Sequence, residues 1–242
     1  MQTVPTPSTA DWQELERLRV VFGHQSVGYN LVAGIEALRK EQQQSLAITE
    51  TRMPLTQPGI HHFTIGRNGE PLTKLADFDS VMRSGVAASA DVAMMKLCFV
   101  DFTSDTKAGS LAAAYIAELD RLSKEFPRTA FIPVTAPLTR LQSGPKAWVK
   151  RILGRPTGEF AENAQRQGFN RILREHYRDQ HILFDLAALE SDSGRVEGTF
   201  DGKTVEALNP DLTSDGGHLN ARGQRLIGGA LVHHLATITR QQ

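Results

Sequence analysis

Short apolar runs alternate with longer stretches in which apolar positions recur at helical spacing. The first run, residues 19–23 (RVVFG), is β-branched and closed by glycine, which reads as a strand. Residues 30–42 follow with Leu31, Ile35 and Leu38 on one face, the pattern of an amphipathic helix. Further strands are expected at 46–51 (LAITET), 92–97 (VAMMKL), 130–135 (AFIPVT) and 182–186, with Pro133 interrupting the 130–135 strand near its end. Helices are expected near 75–83, over 109–126 and 159–178, and from Ala221 onward, where Leu226, Ile227, Ala230, Leu231 and Leu235 form the inner side. Asp201-Gly202 between residues 196–200 and 204–207 predicts a hairpin turn. Residues 53–73 hold three prolines and three glycines and are expected to form a long loop. The alternation implies a three-layer α/β/α sandwich of about five parallel strands covered on both faces. Residues 1–18 read as an N-terminal extension, and 19–242 as one domain with a Gly-, Pro- and basic-rich insertion at about 137–158.

Composition narrows the function classes. Twenty-seven basic residues balance 27 acidic ones, so no general attraction to nucleic acid or anionic membrane is expected. The single cysteine, Cys98, excludes an intrachain disulfide and a cysteine-rich metal cage. No apolar run approaches the roughly 18–20 residues that span a bilayer. The N-terminus lacks the basic and apolar regions of a signal peptide, and its Pro/Thr/Ser content resembles the start of a mature secreted chain. The compartment therefore stays open: periplasmic or secreted with a signal removed, otherwise cytoplasmic. Oligomeric state is unreadable from the sequence.

Candidate chemistry falls where a parallel sheet gathers ligands, beyond the C-terminal ends of its strands. FGHQSVG, residues 22–28, follows the first strand and places Ser26 in a tight strand-to-helix turn. There Ser26 reads equally as a helix cap or as a nucleophile whose neighbouring N–H groups hold an oxyanion. TSDGGHLNARGQ, residues 213–224, precedes the last helix. Gly216 and Gly217 let the Asp215 carboxylate fold back onto the His218 imidazole and fix its tautomer. The order Ser, Asp, His at opposite ends of an α/β chain favours catalysis over a turn and a helix start.

These two segments resemble the first and last blocks of the SGNH/GDSL hydrolases, the lipase- and esterase-like superfamily, and the resemblance runs from about residue 19 to 237. It implies a flavodoxin-like SGNH hydrolase fold, with Ser26 as nucleophile, His218 as base and Asp215 as its orienting partner. The chain departs from the family in its first block, where Gly-Asp-Ser is replaced by His24-Gln25-Ser26. It departs again at LCFVD, residues 97–101, where Val100 stands at the family's asparagine and cannot donate a hydrogen bond. The loop IGRNGEP, residues 65–71, sits where the family's second block supplies a glycine N–H. Gly66 or Gly69 is the candidate N–H donor there and Asn68 the candidate amide donor, with a plain surface turn as the alternative.

Smaller expectations complete the reading. His24 and Gln25 are candidate substrate contacts beside Ser26. His61 and His62, adjacent in sequence, point to opposite sides of an extended chain, and no Glu/His ligand spacing accompanies them, so no metal site is expected. No cofactor is expected either. Asp101 reads as a loop-holding carboxylate and Cys98 as a buried small residue. The basic run Lys146, Lys150, Arg151 and Arg155 reads as a solvated face, and Trp148 as a candidate sugar stack. The function expected by resemblance is hydrolysis of a carboxylic ester, such as an acetyl group on a carbohydrate. The alternatives are a non-catalytic carbohydrate-binding protein of the same fold and an acyltransferase using the same residues. A small-molecule or carbohydrate ester is the expected partner.

Overall fold

A computed structural model describes residues 6–142 and 158–240. Five strands form one parallel sheet: β1 (Arg19–His24), β2 (Ile48–Glu50), β3 (Gly59–Thr64), β4 (Val92–Met95) and β5 (Ala130–Pro133), in the order β2-β3-β1-β4-β5. The central strands are apolar on both faces because both faces are covered. Val20, Phe22 and Met94 point to one layer, and Val21, Ala93 and Met95 to the other.

The first layer holds α1 (Thr9–Leu15), α2 (Val27–Glu41), a short α6 (Leu186–Glu190) and the C-terminal α7 (Ala221–Arg240). The second holds α3 (Pro71–Val81), α4 (Ala108–Glu125) and α5 (Gly158–His176). Helix α1 lies in the segment expected as an extension, yet Trp12 and Leu15 are fully buried against the first layer. Among the described residues no helix is long and apolar enough to cross a membrane.

Two expectations need correction. Residues 53–73 are not one loop: they contain β3 and the start of α3. The pair His61-His62 interrupts the polar–apolar alternation that marks a half-buried strand, but β3 is buried on both faces and the histidines go inside with it. Pro71, taken as a loop signal, stands at the first helical position, where its missing N–H costs nothing. Residues 182–186 do not form a full strand either. A single bridge joins Val134 to Phe184, and Leu186 already opens α6, whose N-terminal Ala188 N–H is accepted by the Asp185 side chain. The Asp201-Gly202 hairpin joins β6 (Glu197–Phe200) to β7 (Lys203–Glu206), with φ of 48° and 71° at its two turn residues. Lys146, Trp148, Lys150, Arg151 and Arg155 lie outside the described residues.

The two helices that flank the candidate site pack closely. At Gly34 of α2 an added Cβ would stand 1.9 Å from the Gln224 carbonyl oxygen of α7. Only glycine permits that approach, and it fixes the start of α7 relative to the start of α2.

Candidate active site

Ser26 sits between β1 and α2 with φ 48° and ψ −106°, a backbone state that a side chain makes costly, by about 1–3 kcal/mol. It occupies the cap position of α2, but its hydroxyl makes no capping bond. Instead Ser26 Oγ lies 2.6 Å from His218 Nε2, and His218 Nδ1 lies 2.7 Å from Asp215 Oδ2. The geometry assigns the Nδ1 proton to the Asp215 side and leaves Nε2 to accept from the serine hydroxyl.

The turn bearing Asp215 and His218 is held by its own backbone. Asp215 Oδ1 accepts the N–H of Gly217 at 2.9 Å and of His218 at 2.8 Å. These two N–H bonds, followed by the bond to the imidazole, hold the Asp215 carboxyl well below the usual carboxylate range. The ring of His218 meets Phe99 edge-on at 5.4 Å. From α2, one turn beyond Ser26, Asn30 Oδ1 accepts the Leu219 N–H at 3.0 Å and so pins the residue next to His218. Sequence reading missed Asn30, although its spacing of four from Ser26 places it on the same helix face.

The remaining candidates are placed differently from expectation. His24 is fully buried and cannot touch a substrate: its Nε2 lies 3.1 Å from His62 Nδ1. Burial, then the nearby Lys96 charge and His62, push its pKa down to about 2. Gln25 does not face a substrate with its amide either, since Nε2 donates to the Ile65 and Gly66 carbonyls, each at 2.7 Å. The N–H of Gly66 donates to Asp77 and that of Gly69 to Asp101, so neither is free to serve an oxyanion. Asn68 is exposed, and its Oδ1 accepts from Lys74 Nζ at 2.9 Å. Neither its amide nitrogen nor the Ser26 N–H has a partner among the described residues.

Lys74 and Asp101 form an ion pair at 2.7 Å with both side chains fully buried. Asp101 also accepts the N–H groups of Gly69 at 3.0 Å and Cys98 at 2.6 Å, which is the loop-holding role read from sequence. Cys98 is buried. Lys74 escaped sequence reading because a lysine beside Leu75 and Phe78 looks like the polar edge of an amphipathic helix. His61 Nε2 bonds the Gln57 carbonyl, and among the described residues no cluster of three or more acidic, His or Cys side chains is placed to hold a metal.

No sequence family and no curated protein matches the chain. Solved structures do match. A protein from Desulfitobacterium hafniense assigned to the G-D-S-L lipolytic family superposes with a TM-score of 0.54 at 12% identity, covering 89% of this chain and 98% of the other. A lipase/acylhydrolase from Enterococcus faecalis gives 0.52 at 14% identity, covering 91% and 96%. The periplasmic domain of a lipopolysaccharide acetyltransferase from Salmonella ser. Paratyphi A gives 0.51 at 9% identity, covering 91% and 84%. The fold is that of the SGNH/GDSL hydrolases, in a divergent form. Proteins built on it include lipases, acylhydrolases and an acetyltransferase, and at these identities the likeness is one of fold.

Proposed function

We propose that the chain is a serine hydrolase of carboxylic esters, with Ser26 as nucleophile, His218 as general base and Asp215 as the group that orients and stabilises the imidazolium. The observation that carries this reading is the continuous hydrogen-bonded chain from Ser26 Oγ through His218 to Asp215, on a serine whose hydroxyl is withheld from capping. Ser26 Oγ attacks the carbonyl carbon while His218 Nε2 takes its proton. The tetrahedral intermediate collapses as the same proton passes to the leaving alcohol. Water, deprotonated by His218, then releases the acid from the acyl-enzyme. The oxyanion is held by the Ser26 N–H and the Asn68 side-chain amide, the donors left unpartnered, instead of by Gly66 or Gly69.

A small acyl group such as acetyl on a carbohydrate is the substrate class we favour. Likeness to an acetyltransferase domain supports testing a sugar hydroxyl as acceptor beside water. The test is labelling by a fluorophosphonate probe together with turnover of p-nitrophenyl acetate. Labelling at Ser26 and turnover, both abolished in Ser26→Ala, support the enzyme. A folded wild type that does neither supports a non-catalytic, carbohydrate-binding role. Transfer is read separately, as sugar ester formed when an acceptor is added.

A further inference from the structure

We infer that the buried Lys74–Asp101 pair is a positioning device that presents the Asn68 amide to the site, replacing the donor that Val100 cannot supply. The inference rests on the hydrolase reading above. Lys74 Nζ bonds Asn68 Oδ1 at 2.9 Å and both Asp101 oxygens, at 2.9 and 2.7 Å. An ammonium only donates, so the Asn68 atom it meets is the oxygen, and the NH2 group points away from Lys74. That NH2 group is the donor of an exposed residue with no other partner among the described residues.

The loop carrying it is tied both to the turn of Ser26 and to the turn after β4. Gln25, the residue before Ser26, holds the loop's start through the Ile65 and Gly66 carbonyls. Asp101 holds its tip through the Gly69 N–H and joins it to the turn after β4 through the Cys98 N–H. Val100, next to Asp101, is 41% exposed and offers no donor. Stability alone does not account for the pair, because well-packed apolar residues replace buried ion pairs at little or no cost. What such a pair provides here is direction: a point charge that orients one amide and a carboxylate that joins two loops.

The alternative is a stitch that merely holds the fold, and a double-mutant cycle separates the two. The variants are Asn68→Ala, the neutralised pair Lys74→Met/Asp101→Asn, and their combination. Each is assayed for kcat and KM on p-nitrophenyl acetate and checked by thermal melting. Loss of one oxyanion donor predicts a kcat lower by about 10²–10³-fold in Asn68→Ala. The neutralised pair should lower kcat at least about tenfold with KM nearly unchanged, the mark of a contact made in the transition state. In the Asn68→Ala background the pair should cost nothing further. If the losses multiply, or if either single change leaves kcat intact, the positioning role is wrong while the Ser26 reading stands. A wild type that neither labels nor turns over defeats the hydrolase reading and this inference with it. Should the pair variant fail to melt cooperatively, Asp101→Asn alone enters the same cycle, since it keeps an oxygen for Lys74 and removes the charge. Its loss must likewise vanish without Asn68.

Discussion

The turn that carries Asp215 and His218 and the loop that carries Asn68 both meet the β1–α2 turn, and they are held there in opposite ways. Within the first, every bond that shapes the carboxylate spans at most three residues, and both side chains are about half exposed. The second is fixed by Lys74 and Asp101, which are 27 residues apart in sequence and fully buried. A short turn can organise a charged dyad in open solvent because backbone N–H groups do the work that burial would make expensive. The loop closes its own turn through short-range bonds among residues 67–73, and adds a core ion pair that ties its tip to the turn after β4.

The sharpest way to break this comparison is at the turn. Asp215→Asn keeps an acceptor for the Gly217 and His218 N–H groups but loses the charge that stabilises the imidazolium. The expected result is a fall in kcat of about 10²–10⁴-fold on p-nitrophenyl acetate. The melting temperature should move by no more than about 2 °C, because the side chain is 59% exposed. A larger stability loss than activity loss would mean that the turn is a structural element and that the loop carries the chemistry.

The loop is probed by two glycines. Gly66 has φ +47°, and an added Cβ would stand 2.5 Å from the Lys74 backbone nitrogen. Gly69 has φ +82° with nothing within 4 Å. Gly69→Ala therefore meets backbone strain alone, about 1–2 kcal/mol, whereas Gly66→Ala adds a clash with helix backbone that cannot step aside, about 3 kcal/mol in all. Urea unfolding should rank Gly66→Ala below Gly69→Ala. Equal losses would show that the loop is not seated against α3 as described.

The same contrast decides what the sequence could reveal. The contact of Ser26 with the Asp215–His218 pair was legible because its parts are local: a serine in a strand-to-helix turn, and a carboxylate and an imidazole separated by two glycines. The parallel sheet was legible from strands with continuous apolar runs. Strand β3 was not, since two histidines that look solvated in sequence are buried in the sheet, one against Gln57 and one against His24. Nor could the sequence show that the Gly66 and Gly69 N–H groups are spent on Asp77 and Asp101, or that Lys74 is buried. Those facts depend on which loops the topology brings together, and spacing along the chain carries no trace of them.

The smallest expected effect lies in the pH dependence of stability, and it separates the buried layer from the exposed turn once more. His24, two residues before Ser26, is held neutral by burial, with its pKa pushed from 6.5 to about 2. A folded pKa below the unfolded one contributes stability that is fully present above pH 6.5 and is lost as pH falls through the window toward 2. Burial lowers the pKa of His62 as well, so its share is lost in the same direction. Asp215 is also depressed, but its contribution disappears only below its unfolded value of 3.8. Between pH 6.5 and about 4.5 the loss belongs to buried histidines, His24 and His62 near Ser26 and His234 on α7, at no more than about 1.4 kcal/mol per pH unit for each proton taken up. The raised carboxyls of Glu118 and Glu190 offset part of it. Urea unfolding across that range should show His24→Phe losing less stability with falling pH than the wild type does, and an unchanged slope in Asp215→Asn. The reverse pattern would place the acid-sensitive charge in the turn and make the exposed dyad, instead of the buried layer, the part of the site that protons unlock.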